Sequence, residues 1–114
     1  MKNYLIILTT TVVLASCSTE TQLYNWEKYD QSSYAYLKNK DDKSAEKLLA
    51  NYDKMIKRQN QQRKIVPPGV YADYGFILIE RGKASEGKDM LEKEMQLYPE
   101  SKIFIDRIIK TMQQ

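Results

Sequence analysis

The sequence has no histidine and only one cysteine, so it lacks the residues that most often bind zinc or serve as general bases. A single cysteine cannot form an intramolecular disulfide either. The one carboxylate pair that a hydrolase could use is Glu80 with Glu94. However, the acids here alternate with lysines, as in Glu92-Lys93-Glu94, which is typical of a solvated helix face. We therefore expect no metal site, no small-molecule substrate and no enzymatic activity.

Long apolar runs are also absent, apart from one near the N-terminus that is too short to cross a membrane as a helix. This run, Leu5 to Leu14, follows the positively charged Lys2 and has the length of the apolar region of a secretory signal. Leu14-Ala15-Ser16-Cys17 then places two small residues directly before the cysteine, and the tetrapeptide resembles the lipobox of bacterial lipoproteins.

The lipobox resemblance implies cleavage between Ser16 and Cys17, with diacylglycerol and an N-linked acyl chain such as palmitate added to Cys17. More than one acyl chain gives stable membrane anchoring. Ser18 stands where an aspartate would favour the inner membrane, so the resemblance implies the outer membrane. Glu20 has no acidic neighbours, which favours the leaflet that faces the periplasm over the cell surface.

We predict three parts: a signal peptide at 1–16, a lipidated tether at 17–24 and a helical domain at 25–114. The tether is rich in serine, threonine and glutamine and has no apolar periodicity. The 98 residues from Cys17 onward suffice for one small domain, and removal of Lys2 leaves a formal charge of +2. This charge points to no particular partner, and export excludes nucleic acid.

Apolar steps of three and four residues predict an amphipathic helix over 43–61. A turn at 39–42 should precede it, with Asp42 as its N-cap. The earlier segment 26–37 also has helical spacing, although its tyrosines and serines would tolerate a strand.

Proline and glycine divide the second half of the domain. Pro67 and Pro68 must end the preceding helix because they lack amide donors. Helices are then predicted over 70–81 and 84–97, separated by Gly82-Lys83. Pro99 should end the second of these, and Ser101 should cap a last helix whose broad apolar set predicts packing on more than one side.

The segment 71–99 resembles a tetratricopeptide repeat in one continuous register. The matching positions are Tyr71, Gly75, Leu78, Gly82, Gly87, Leu91 and Pro99. Small residues in this register let two helices approach closely, which justifies glycines that each cost about 1 kcal/mol in helix propensity.

A weaker copy of the register lies upstream, with Lys40 at the turn. Its matching positions are Tyr29, Ser33, Tyr36, Ala45, Leu49 and Tyr52. We predict an all-α fold of tetratricopeptide-repeat-like antiparallel helix pairs, with a C-terminal capping helix. A helical bundle without a groove remains the alternative, because two repeats are fewer than a self-supporting array usually needs.

The blocks Pro67 to Gly75 and Tyr98-Pro99-Glu100-Ser101 resemble those of a family of small bacterial lipoproteins of unknown function. Members of that family occur beside genes for a lipoprotein similar to the curli secretion channel subunit. The resemblance therefore implies an outer-membrane lipoprotein assembly but assigns no reaction. Glu27 stands where the family commonly has glycine, close to the expected start of the first helix.

Our leading hypothesis is a non-enzymatic scaffold, anchored to the outer membrane, that binds other envelope lipoproteins. Tandem helix pairs offer a concave face to a partner, and tyrosine suits interfaces because one end is apolar and the other polar. The candidate partner-binding residues are Pro67, Pro68, Tyr71, Tyr74 and Tyr98. These tyrosine rings could equally complete a small core.

An alternative function is binding of an anionic envelope surface or polymer through the basic segment 38–64. This segment contains nine basic and four acidic residues, which give it a local charge of +5. The same pattern is typical of a solvated helix face. Binding to an anionic surface should weaken with salt, whereas groove binding should persist.

Overall fold

The computed structural model describes residues 22–59 and 64–114, and all regular structure in these residues is helical. The helices are α1 (Tyr29–Asn39), α2 (Asp42–Lys57), α3 (Val70–Glu80), α4 (Ala84–Leu97) and α5 (Lys102–Met112), with a 3-10 turn at Pro99–Ser101. The all-α prediction is therefore confirmed for this part of the chain. The predicted signal peptide, its Ser16-Cys17 junction, the tether up to Thr21 and the segment 60–63 lie outside the described residues.

Helix α1 begins three residues later than the spacing predicts. Glu27 has φ +48°, a left-handed conformation that cannot belong to a helix, and Trp26 therefore lies before α1. This backbone geometry also explains why glycine suits the position. The helix ends at Asn39, and the next residue, Lys40, has φ +50° and turns the chain toward α2.

Asp41 caps helix α2. The prediction that Asp42 would be the cap is therefore wrong. The Asp41 carboxylate accepts a 2.8 Å hydrogen bond from the Ser44 N–H. The Ser44 side chain and, after it, this backbone N–H lower the pKa of Asp41. Asp42 is instead the first helical residue and forms an ion pair with Arg81. The helix ends at Lys57, four residues before the predicted end at Gln61.

The main core lies where α2 packs against α3 and the segment that leads into it. It contains Leu48, Tyr52, Met55, Val66, Val70 and Ile77. A second cluster joins α3, α4 and α5 through Ala72, Leu91 and Ile105. The α2 residues in the first cluster follow the predicted steps of three and four.

Helices α3 and α4 cross with their backbones in direct contact at Gly75 and Gly87. A Cβ on Gly75 would lie 2.7 Å from the Gly87 carbonyl oxygen, and one on Gly87 would lie 2.5 Å from the Gly75 oxygen. The turn between the helices uses Gly82 at φ +83°. Helix α4 has the predicted bounds, and α3 ends one residue early at Glu80.

Helix α5 departs from prediction in its start and its burial. The Ser101 hydroxyl donates to the Tyr98 carbonyl at 2.7 Å within the 3-10 turn, so it does not cap the helix. Ile105 is buried, but Ile103 is 75% exposed and Phe104 60% exposed. The predicted packing on more than one side is therefore wrong, because the described helices cover only the stripe around Ile105.

Candidate interaction surface

Two hydrogen bonds fix the corner formed by Pro67, Pro68 and Gly69. The Gly69 N–H donates to Glu94 Oε1 at 2.7 Å, and the Tyr98 hydroxyl donates to the Val66 carbonyl at 2.6 Å. Glu94 lies in the last turn of α4 and Tyr98 directly follows that helix, so the two bonds join residues 25 and 32 positions apart in sequence. The proline-glycine block and the Tyr98 block therefore meet in space and form one structural unit.

The predicted partner-binding residues do not form one exposed surface. Pro67 is fully buried, whereas Pro68 is exposed. Tyr71 is partly buried and lies 5.8 Å from the Lys93 ammonium, while Tyr98 is engaged at the corner. Pro67 therefore belongs to the interior of the corner, whereas Pro68 lies on its surface.

Tyr74, the remaining member of that set, belongs to a row of aromatic rings that crosses three helices. It stacks on Tyr52 of α2 with ring centroids 5.6 Å apart, and Tyr52 lies 5.9 Å from Tyr29 of α1. Trp26 continues the row at 5.8 Å from Tyr29, followed by Tyr24. Burial raises the pKa of Tyr52 far above its usual value, so this ring stays neutral.

A groove of about 220 Å³ lies beside this row, between α1 and α3. Its lining is Tyr29, Ser33, Tyr36 and Leu37 from α1, Leu48 and Tyr52 from α2, and Asp73, Phe76 and Ile77 from α3. The α2 residues form a buried floor, and Leu37 stands at the rim with 68% of its surface exposed. The groove is thus apolar and aromatic inside, with an accessible leucine at its edge.

Acidic groups lie along the α3 side of the groove. Asp73 is open to water, yet the surrounding protein atoms and Glu94 raise the pKa of its carboxyl, while the facing Tyr29 hydroxyl lowers it. Further along, the Tyr36 hydroxyl donates to Glu80 at 3.2 Å. Burial and this carboxylate raise the pKa of Tyr36. The groove therefore favours a cationic group over an anionic one at both carboxylates.

Sequence reasoning missed Leu37, Asp73 and Phe76 as groove residues. These residues could have been found from the sequence offset between α1 and α3, the two helices that form the walls of the groove. Tyr29 faces Asp73 and Tyr36 bonds to Glu80, and both pairs are 44 residues apart. Helices α1 and α3 therefore run in the same direction, close to the 42-residue offset between the turns at Lys40 and Gly82.

The carboxylate pair considered for catalysis does not converge. Glu94, a residue of α4, contacts Gly69 beside the first turn of α3. Glu80 is the last residue of α3, and it accepts a hydrogen bond from Tyr36. Eleven helical residues span about 16 Å. Within residues 22–59 and 64–114, no cluster of three histidine, cysteine or acidic residues could hold a metal ion. None of the helices described has the length and apolar character that a membrane span requires.

Comparison with protein-family models gives a match over most of the described domain. The model of a domain of unknown function, DUF4810, matches residues 23–108, from the start of the aromatic row into α5. The match covers the corner, the groove and the crossing of α3 and α4. No curated protein and no solved structure shows significant similarity to the chain.

Proposed function

Since the chain belongs to the DUF4810 family, whose function is unknown, we propose that it is a non-enzymatic scaffold that binds other envelope lipoproteins. In this proposal, lipid on Cys17 anchors it to the outer membrane with the domain facing the periplasm. The observation that carries the proposal is the groove between α1 and α3, with its buried aromatic floor and exposed Leu37. Concave faces between helices are a common way to bind a peptide or a helix.

We further propose that α1–α2 and α3–α4 are two tetratricopeptide-repeat-like units. The parallel course of α1 and α3 and the glycine crossing at Gly75 and Gly87 support this arrangement. Helix α5 then covers the end of the second unit through Ile105. In such a stack, the first helix of each unit forms the concave face, which is where the groove lies.

The chemistry of the groove defines the partner segment that fits it. An apolar side chain would lie against Phe76 and the floor, and Leu37 would cover it from the rim. A lysine or arginine next to that side chain would face Asp73. Burial of aromatic and leucine surface would supply most of the affinity, since rim charges act chiefly on association rate and specificity.

Purification of the lipidated protein from detergent-solubilised membranes after mild crosslinking tests the proposal. We expect other lipoproteins to co-purify in stoichiometric amounts with the wild type, at high salt, and not with Cys17→Ala. Leu37→Asp should abolish this recovery because it places a charge at the rim of an apolar groove.

Ile103→Asp is the matched control, because Ile103 is a similarly exposed apolar residue on α5, away from the groove. It should leave the recovery unchanged. Equal losses in both variants, or no co-purifying protein with the wild type, would contradict the proposal.

A further inference from the structure

A second concavity, of about 420 Å³, lies between α1 and α2. Its lining residues are Lys28, Gln31, Ser32, Ala35, Lys47, Ala50, Asn51 and Lys54. None of these residues lines the groove between α1 and α3. The concavity is therefore a separate site on another face of α1.

Three lysines line this concavity, and none of them forms an ion pair within the part of the chain that the structure describes. The neighbouring acid Asp53 is already paired with Lys57 at 2.7 Å. Lys28 comes from the start of α1, whereas Lys47 and Lys54 lie two turns apart on α2. The fold thus gathers positive charge from two helices around one cavity.

The cavity also contains neutral hydrogen-bonding groups. Asn51 is 7% exposed, and its amide oxygen accepts from the Lys28 N–H at 3.3 Å. Its amide nitrogen donates to the Met55 sulfur at 3.6 Å, which is a weak acceptor. The side chains of Gln31 and Ser32 lie at the α1 wall. Ala35 and Ala50 occupy facing helices, and their short side chains leave the space open.

We propose that this cavity binds a phosphate group. A phosphate monoester carries up to two negative charges and three strong acceptor oxygens, which matches several ammonium groups beside the amide donors of Gln31 and Asn51. A monoester therefore compensates more of the lysine charge than a carboxylate or a phosphodiester, each of which carries one charge. The proposal narrows the basic segment 38–64 to Lys47 and Lys54 and adds Lys28, which lies outside that segment.

The phosphate could belong to a lipid headgroup or to a free phosphorylated molecule, and the two sources are separable by titration. The full lipidated chain, in neutral detergent, would be titrated with glycerol phosphate and, separately, with short-chain phosphatidylglycerol. Isothermal titration calorimetry would measure both. Short-chain phosphatidylcholine serves as the zwitterionic comparison. Binding of glycerol phosphate indicates a free ligand, and binding of phosphatidylglycerol alone indicates a headgroup. Either result supports the site.

Variants separate a site from general attraction to positive charge. The double variant K47Q/K54Q should weaken binding by about tenfold or more, because two cationic neighbours of the phosphate are lost. K38Q/K43Q removes the same charge from exposed positions outside the cavity and should change the affinity by less than about twofold. Ala50→Leu keeps every charge but fills the cavity with a larger side chain. We expect it to weaken binding by at least as much as K47Q/K54Q.

Circular dichroism would verify that each variant folds, and the exposed lysine variants keep the test valid if Ala50→Leu does not fold. Equal weakening by both double variants would overturn the proposal, as would binding of neither phosphate ligand. Equal affinity for phosphatidylcholine and phosphatidylglycerol, with no binding of glycerol phosphate, would also overturn it.

Discussion

Glu94 accepts a 2.7 Å hydrogen bond from the Gly69 N–H although it is only 1% exposed and lies 25 residues further along the chain. Its second carboxylate oxygen, Oε2, is buried and has no hydrogen-bond partner among residues 22–59 and 64–114. The first N–H groups of a helix have no acceptor within that helix, and here a carboxylate from α4 accepts from one of them at the start of α3. The contact thereby couples the proline-glycine corner to α4.

Removal of this carboxylate should loosen the corner. We expect Glu94→Ala to lower the free energy of unfolding by about 1–3 kcal/mol, because a bond to a charged acceptor is lost and a cavity is left. Urea unfolding of residues 17–114 carrying Cys17→Ala would measure this change. Glu92→Ala, on the exposed side of α4, should stay within about 0.5 kcal/mol of the parent. A Glu94→Ala variant as stable as Glu92→Ala would refute the role of the bond.

The crossing of α3 and α4 should not tolerate a methyl group at Gly87. A Cβ there would lie 2.5 Å from both the Gly75 oxygen and the Ile79 side chain, so the helices must separate. We expect Gly87→Ala to destabilise the domain by about 2 kcal/mol or more, despite the better helix propensity of alanine. Ser85→Ala, at an exposed position of the same helix, is the control for thermal unfolding. A stabilised Gly87→Ala variant would contradict the close crossing.

Glu27 offers a substitution with the opposite sign. Its φ of +48° is unfavourable for a residue with a Cβ and is readily adopted by glycine. Glu27→Gly should therefore raise the free energy of unfolding by up to about 1 kcal/mol. Lys28→Gly, at φ −104°, should lower it. If Glu27→Gly and Lys28→Gly both lower the free energy of unfolding, the left-handed conformation of Glu27 does not reduce the stability of the domain.

Asp73 should make stability depend on pH in a defined direction. The surroundings raise the pKa of its carboxyl above 3.8, so the folded state holds this proton to higher pH than the unfolded state does. Stability should then fall as the pH rises from below 3.8 through the raised pKa. Asp73→Asn should be more stable than the parent at neutral pH, and the difference should vanish at pH 3.

Asp89→Asn, at an exposed position on α4, provides the comparison for that pH series. A neutral-pH gain no larger for Asp73→Asn than for Asp89→Asn would contradict the assignment. A gain specific to Asp73 would mean that the carboxylate is kept at a cost in stability. Residues of that kind are common at functional sites.

The helices of the domain were largely predictable because their signals are local. The apolar steps of α2, the two prolines, Gly82 and Pro99 fix most boundaries to within a few residues. The cap of α2 was wrongly predicted because two neighbouring residues compete for one role. Asp41 and Asp42 are equally good caps by composition, and only the geometry of the turn at Lys40 selects Asp41.

The sites were less predictable because they depend on which helices pack together. Nothing local indicates that Tyr98 bonds to Val66, or that Lys28 joins Lys47 and Lys54 around one cavity. The exposure of Ile103 likewise reflects the lack of a covering helix among the described residues, and a helix's own apolar pattern cannot reveal that. Lipidation of Cys17 remains a prediction from the lipobox resemblance.

Site-specific photocrosslinking in living cells tests the scaffold proposal most directly. A photoreactive phenylalanine analogue would replace Leu37 at the groove rim or Ile103 on α5, in the full-length lipidated protein. We predict a discrete adduct with another envelope lipoprotein from position 37 and none from position 103. No adduct from position 37, or the same adducts from both positions, would contradict the proposal that the groove between α1 and α3 binds a partner.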